Sequence, residues 1–243
     1  MRIVIVLGAL TWAVVARPAA AADFSDWAAI VVAGDHRAHD GSDSEVFDDG
    51  RHDIGAALQH LGFKRENIEE FSTQPQKYTS PAPLPSDPGT VASSLWDLSN
   101  RTSAGCLVYF TSHGSPDGIV MGDDIFSPKD FARMVNNACG QRPTVVVVSA
   151  CFSGVFVPYL QGPNRFVLTA ARPDRTSFGC GQADRYTFFD QCFLTSIAPA
   201  HDFPDLATDT RRCVATREAK EDVSPPSDPQ VAAGAGVASF PHW

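Results

Sequence analysis

Positive charge is what this chain of 243 residues has little of: 19 Lys and Arg stand against 28 Asp and Glu, a formal charge of −9, and no basic run stands out. The electrostatic footprint of a nucleic-acid or anionic-membrane binder is therefore missing. Long apolar runs are also scarce, and beyond the first 22 residues no segment could span a bilayer. The six cysteines contain no Cys-x-x-Cys pair, which argues against structural zinc. Asp35, His36, His39, Asp40 and Asp43 cluster, but their spacing fits neither a His-Glu-x-x-His helix nor the Asp-x-Asp-x-Asp-Gly ladder of a calcium loop. They read as a solvated loop, and neither a metal nor a cofactor is expected. No internal repeat is evident.

The N-terminus is where apolar residues concentrate. Arg2 precedes an apolar stretch from Ile3 to Ala16, and Ala19-Ala20-Ala21-Ala22 offers small residues for cleavage, the pattern of a secretory signal peptide. No cysteine lies near the cut, so a lipid anchor is not expected. The expectation is a signal peptide over 1–22 and an exported chain, periplasmic or extracellular, with no membrane attachment after cleavage. Removing Arg2 and Arg17 leaves a formal charge of −11 on 221 residues, a length that fits one α/β domain.

Two apolar runs carry the chemistry. Cys106-Leu107-Val108-Tyr109-Phe110-Thr111-Ser112 leads into His113-Gly114, and Val145-Val146-Val147-Val148-Ser149-Ala150 leads into Cys151. Continuous β-branched and aromatic runs read as buried parallel strands. As sheet neighbours they would lie roughly 4.8 Å apart, and His113 and Cys151 would emerge side by side at their carboxyl ends, where open α/β sheets form active crevices. Imidazole beside thiol is the minimum equipment of a cysteine hydrolase.

Val108-Tyr109-Phe110-Thr111-Ser112-His113-Gly114-Ser115 and Ser149-Ala150-Cys151-Phe152-Ser153-Gly154 resemble the histidine and cysteine motifs of the legumain family of cysteine peptidases, relatives of the caspases. Gly50-Arg51-His52 resembles the family's Arg-His pair, and Thr169-Ala170-Ala171 through Thr176-Ser177-Phe178 its next strand and loop. The resemblance spans roughly residues 28 to 195. It implies a three-layer α/β/α sandwich of the caspase type with a mainly parallel central sheet, assigned to residues 23–199, followed by a C-terminal helix and a Pro/Ala/Gly-rich tail over 200–243.

Local patterns agree. Ala28 to Ala33 reads as the first strand, Asp35 to Gly50 as a polar loop, and His52 to Leu61 as a helix stopped by Gly62. Ile68 to Phe71 is a candidate strand, Ser72 to Gly89 with its five prolines a loop, and Thr90 to Leu98 a helix. Asp117-Gly118 and Gly122-Asp123 punctuate a hairpin over Ile119 to Phe126. Ser127-Pro128-Lys129-Asp130 resembles a capping box opening a helix that Gly140 closes. That helix is the crossover between the two motif strands. Phe166 to Ala170 reads as a strand, with helices around Tyr186 to Ile197 and Leu206 to Glu221.

The thiolate is the attacking species, so His113 is assigned as the base that takes the Cys151 proton and as the acid that protonates the leaving amine. The resemblance implies that Gly114 and Cys151 supply oxyanion N–H groups. It also implies a pocket that reads an asparagine side chain before the scissile bond, with Arg51 as its arginine, His52 and Ser177 beside it, and Asp190 as an acidic group. Ser149 replaces the family's carboxylate two positions before the cysteine. No third residue is nominated to orient His113. With Cys151 free, the other five cysteines permit at most two bridges, and Cys106 and Cys192 read as unpaired core cysteines. The expected function is a cysteine endopeptidase acting on a peptide or protein substrate after Asn or Asp. A transpeptidase that resolves the same thioester with an amine is one alternative, and a non-catalytic exported binding protein the other.

Overall fold

The computed structural model describes residues 23–243, and the signal-peptide reading of 1–22 lies outside them. β1 (Trp27–Ala33) is buried along its whole length. α1 (Val46–His60) begins six residues before the helix that the sequence suggests, because Val46 and Phe47 already bury there and Asp48 and Asp49 favour the positive end of the helix. β2 (Ile68–Ser72) and the short edge strand β3 (Leu84–Pro85) follow. α2 (Pro88–Arg101) starts where the Asp87 carboxylate accepts from the Thr90 N–H.

β4 (Gly105–Thr111) runs into a small antiparallel sheet of β5 (Gly114–Ser115), β6 (Gly118–Met121) and β7 (Asp124–Phe126), one strand more than the predicted hairpin. α3 (Pro128–Cys139) is capped by Ser127, and Gly140 at φ 57° ends it. Then come β8 (Thr144–Ser149), the single turn α4 (Val157–Leu160), β9 (Arg165–Thr169), α5 (Phe188–Ile197), α6 (Phe203–Lys220) and β10 (Gln230–Ala233).

The main sheet has the order β10-β9-β8-β4-β1-β2-β3, parallel except for β10. Period-two alternation divides β1 between two cores. Trp27, Ala29 and Val31 pack with Ile54 and Leu58 of α1, Phe193 of α5 and Phe203 and Leu206 of α6. Ala28, Ile30 and Val32 face Val91, Leu95 and Leu98 of α2 and Phe131 and Val135 of α3. Each Val, Leu, Ile or Phe among them contributes about 1.5–3 kcal/mol by leaving water, so this three-layer sandwich needs helices on both faces.

Residues 200–243 are built into that sandwich. α6 packs along α5, and β10 pairs antiparallel with β9, Val231 opposite Leu168. Trp243 packs edge-on against Phe203 with centroids 5.0 Å apart, and its indole N–H donates to the Ile197 carbonyl. β10 escapes a sequence reading because it is short and alternates half-buried with exposed residues.

Two disulfides, Cys106–Cys139 and Cys192–Cys213, bind Cys106 and Cys192, which read from the sequence as unpaired. The first ties β4 to α3 and the second α5 to α6. Both pairings follow from packing that brings Cα atoms 6.1 and 5.5 Å apart. The Cys192–Cys213 bridge spans 21 residues, which by loop closure is worth about 3 kcal/mol. Cys213→Ser should therefore lower the melting temperature by about 6–12 °C in calorimetry. Melting unchanged by the substitution would show that this bridge does not stabilise the fold.

Candidate active site

β4 and β8 are hydrogen-bonded neighbours with Thr111 opposite Ser149. His113 and Cys151 each lie two residues beyond that pair. Both enter a cleft of about 790 Å³ at the carboxyl end of the sheet. The chain turns sharply after each strand. A Cβ on Gly114 would fall 2.3 Å from the Cys151 carbonyl oxygen, so only glycine lets the two backbones meet. Phe152 sits in the left-handed region at φ 57°, a conformation that costs a non-glycine residue about 1–2 kcal/mol. Its N–H donates to the Arg175 carbonyl at 2.7 Å, which holds the turn.

The ring of His113 is fixed from two sides. Nε2 lies 2.9 Å from the Arg37 carbonyl oxygen, which can only accept, so Nε2 carries the proton and Nδ1 keeps its lone pair. Phe47 packs edge-on at 5.0 Å. Arg37 is itself tied down by Asp35, whose Oδ1 accepts from the His36 and Arg37 N–H groups and from Arg37 Nε at 2.9 Å. Asp35 is 3% exposed, so the loop that reads as solvated is organised around a buried carboxylate. The hydrogen bond and charge of Asp35 push the Arg37 pKa up, and the guanidinium stays charged at the wall of the cleft.

On the other wall Ser177 N–H donates to Cys151 Sγ at 3.3 Å. Cys180 is the other free thiol, in the same cleft, and burial pushes its pKa up to about 11. Gly179 at φ 83° turns the loop between them.

The remaining predicted site residues divide. Ser177 lines the cleft, whereas Arg51, His52, Ser149 and Asp190 do not. Arg51 lies on α1 and is buried, with Nε 2.9 Å from Asp48 and Nη1 2.5 Å from Glu70, beneath the Tyr78 ring. Burial opposes its charge, but Asp48 and Glu70 outweigh burial and leave its pKa above the usual value. With both carboxylates engaged it is a structural ion pair, and His52 points to solvent beside it. Ser149 is buried within reach of the Thr187 hydroxyl. Asp190 is fully buried and accepts from Tyr109 Oη at 2.8 Å and Thr111 Oγ1 at 2.5 Å. Burial pushes its carboxyl pKa up, and it ties α5 to the sheet beneath the cleft.

Residues that the sequence reading missed take their place. Arg37, Asp184, Glu221 and Val223 all line the cleft, and Asp184 accepts from the Gly181 N–H through one oxygen. A signal for Asp35 and Arg37 existed, since they follow the strand next to β4 and so reach the same sheet end. The orienting carbonyl of Arg37 has no sequence signal, because every residue carries one.

Comparison with known proteins agrees with the fold. The solved structure of caspase-1 from Spodoptera frugiperda superposes with a TM-score of 0.61 at 14% identity, over 93% of this chain and 94% of that chain, a likeness of fold. Among curated proteins no match was found. A model of the peptidase C13 family matches residues 87–226, more than half of the chain and including both His113 and Cys151, but beginning after Gly50-Arg51-His52. The chain belongs to the peptidase C13 family, the legumain family of cysteine peptidases.

Proposed function

We propose that this protein is an exported cysteine endopeptidase whose nucleophile is Cys151 and whose acid–base group is His113. The observation that carries the reading is the shared cleft, in which an imidazole held through Nε2 leaves Nδ1 free and a thiol is met by the Ser177 N–H. His113 Nδ1 takes the proton from Sγ, and the thiolate attacks the peptide carbonyl. The N–H groups of Gly114 and Cys151 are assigned to the developing oxyanion, each such donor being worth about 3 kcal/mol of barrier. His113 then protonates the leaving amine, giving a thioester that water hydrolyses with the same base. Cys180 is unsuited to the role of nucleophile, because burial keeps it a thiol at neutral pH. Two disulfides support an oxidising compartment, periplasmic or extracellular, reached through a signal peptide over 1–22.

Cleavage after Asn or Asp is assigned to Arg37 and Asp184. Arg37 Nε and Nη2 donate to Asp35 and to the Gly122 carbonyl, and Nη1 is left to donate to the side-chain oxygen of the residue before the cut. The Asp184 oxygen that does not receive the Gly181 N–H can accept from an asparagine amide.

Cys151→Ala and His113→Ala should each lower peptide hydrolysis on the order of a thousandfold or more, with melting temperature unchanged. A thiol-directed probe should label native protein at Cys151 and spare Cys180. Substantial turnover by purified Cys151→Ala protein would sink the mechanism.

A peptide library varied before the scissile bond should show Asn and Asp preferred by the wild type and that preference flattened by Arg37→Ala. Arg51→Ala should keep the preference and lose about 3 kcal/mol of stability, because it leaves two carboxylates without their cation. Cleavage mainly after Lys, Arg or bulky apolar residues would overturn the assignment, as would a preference that follows Arg51.

A further inference from the structure

On a chain with a net charge of −9, four of the 19 Lys and Arg residues converge on one cavity of about 390 Å³. Arg172 and Arg175 come from the loop after β9, and Arg211 and Arg212 from α6. Only Glu218 and Asp228 oppose them in the lining. Glu218 is 2% exposed and its Oε1 is taken up by the Ser227 N–H and hydroxyl. Asp228 approaches Arg211 no closer than 3.8 Å. Just outside the cavity a single carboxylate, Asp174, serves both Arg172 at 3.0 Å and Arg175 at 2.7 Å, while Arg212 pairs with Asp209. Inside the cavity two carboxylates face four guanidinium groups, the other two carboxylates being at its edge, and Arg172 and Arg211 keep about half of their side-chain surface in solvent.

The two elements that wall this cavity also wall the active cleft. The loop continues from Arg175 to Ser177, which touches Cys151 Sγ, and the chain leaving α6 continues to Glu221 and Val223, which line the cleft. Two residues of chain span at most about 7 Å, and an extended peptide advances about 3.3 Å per residue. The Arg175 carbonyl accepts from the N–H of Phe152, the residue after Cys151, at 2.7 Å, so the arginine loop lies against the nucleophile's turn, on the scale of a side chain carried two to four residues from the scissile bond.

We propose that this cavity is a substrate subsite for an acidic side chain, Asp or Glu, two to four residues from the cut. The inference rests on the peptidase reading and adds to it a selectivity distinct from that of Arg37. The planar fork of an arginine matches a carboxylate in two parallel hydrogen bonds, and several converging forks fix its position.

The test uses fluorogenic peptides that differ only in Glu against Gln at each position from two to four residues on either side of the cut. Wild-type kcat/KM should favour Glu about tenfold at one position, the scale of a charge-assisted hydrogen bond, and the ratio should shrink as salt is raised. In Arg172→Gln and Arg211→Gln the ratio should fall towards one, with melting temperatures showing that both variants fold. Arg133→Gln, on α3 and paired only with Asp130, should keep it. A ratio near one at every position in the wild type, or one unmoved by the arginine variants, would overturn the subsite while leaving the peptidase reading intact. If no peptide is cut, the peptidase reading fails. Fluorescence anisotropy of a labelled Glu peptide on Cys151→Ala protein then decides the subsite: binding about tenfold weaker after Arg211→Gln supports it, and equal binding defeats it.

Discussion

The register between β4 and β8 is the constraint on which the rest depends. With Thr111 opposite Ser149, the residues two further along both strands leave the sheet at one level. A slip of one residue would turn every side chain of a strand to the other face. It would carry Tyr109 and Thr111 away from Asp190 and send Leu107 and Tyr109 out of the core that α1, α5 and α6 cover. Both faces of the strands are buried, so a slip would have to fit side chains packed for one core into the other. The scaffold thereby locates an imidazole and a thiol without using any contact between them.

Asp190 stiffens that arrangement from below. A fully buried carboxylate is costly to desolvate, which is why burial pushes its pKa up. It persists because Tyr109 and Thr111 of β4 donate to it while its own N–H is capped by Thr187 at the start of α5. The network joins the helix that follows the cleft loop to the strand that leads into His113. Removing the acid would leave two buried hydroxyls unpaired, so a buried polar hub beneath the cleft fixes the end of the sheet on which it stands.

The strands, the crossover helix and the convergence of His113 and Cys151 on one end of the sheet were legible because continuous apolar runs and capping residues are local signals. What was not legible depends on how helices and loops face one another. Gly50-Arg51-His52 resembles a substrate-reading pair, but its position on α1 turns Arg51 inward to Asp48 and Glu70, and no local pattern states that direction. The start of α1 hid in a stretch rich in aspartate and glycine, where helix propensity is low. β10 and the two disulfides became visible only with the packing of residues far apart in the chain. The hold on His113 is a backbone carbonyl and the wall of the cleft is partly the C-terminal segment, and neither has a characteristic residue type.

A reactive thiolate beside disulfides is a chemical hazard, since it can attack a disulfide sulfur it can reach. The fold keeps the two apart. Cys106–Cys139 lies in the core between the sheet and α3, and Cys192–Cys213 lies between α5 and α6 on the opposite face. Cys106, Cys139 and Cys192 are 0% exposed. Cys151 instead stands beyond the end of its strand, open to the cleft. Each layer of the sandwich is thus cross-linked on its own side, while the sheet end between them holds the two thiols that remain free. The disulfides that cross-link the scaffold and the reduced sulfur that the proposed reaction needs coexist in one chain because Cys106–Cys139 is sealed in the core and Cys192–Cys213, whose Cys213 is only partly buried, does not line the cleft that holds Cys151.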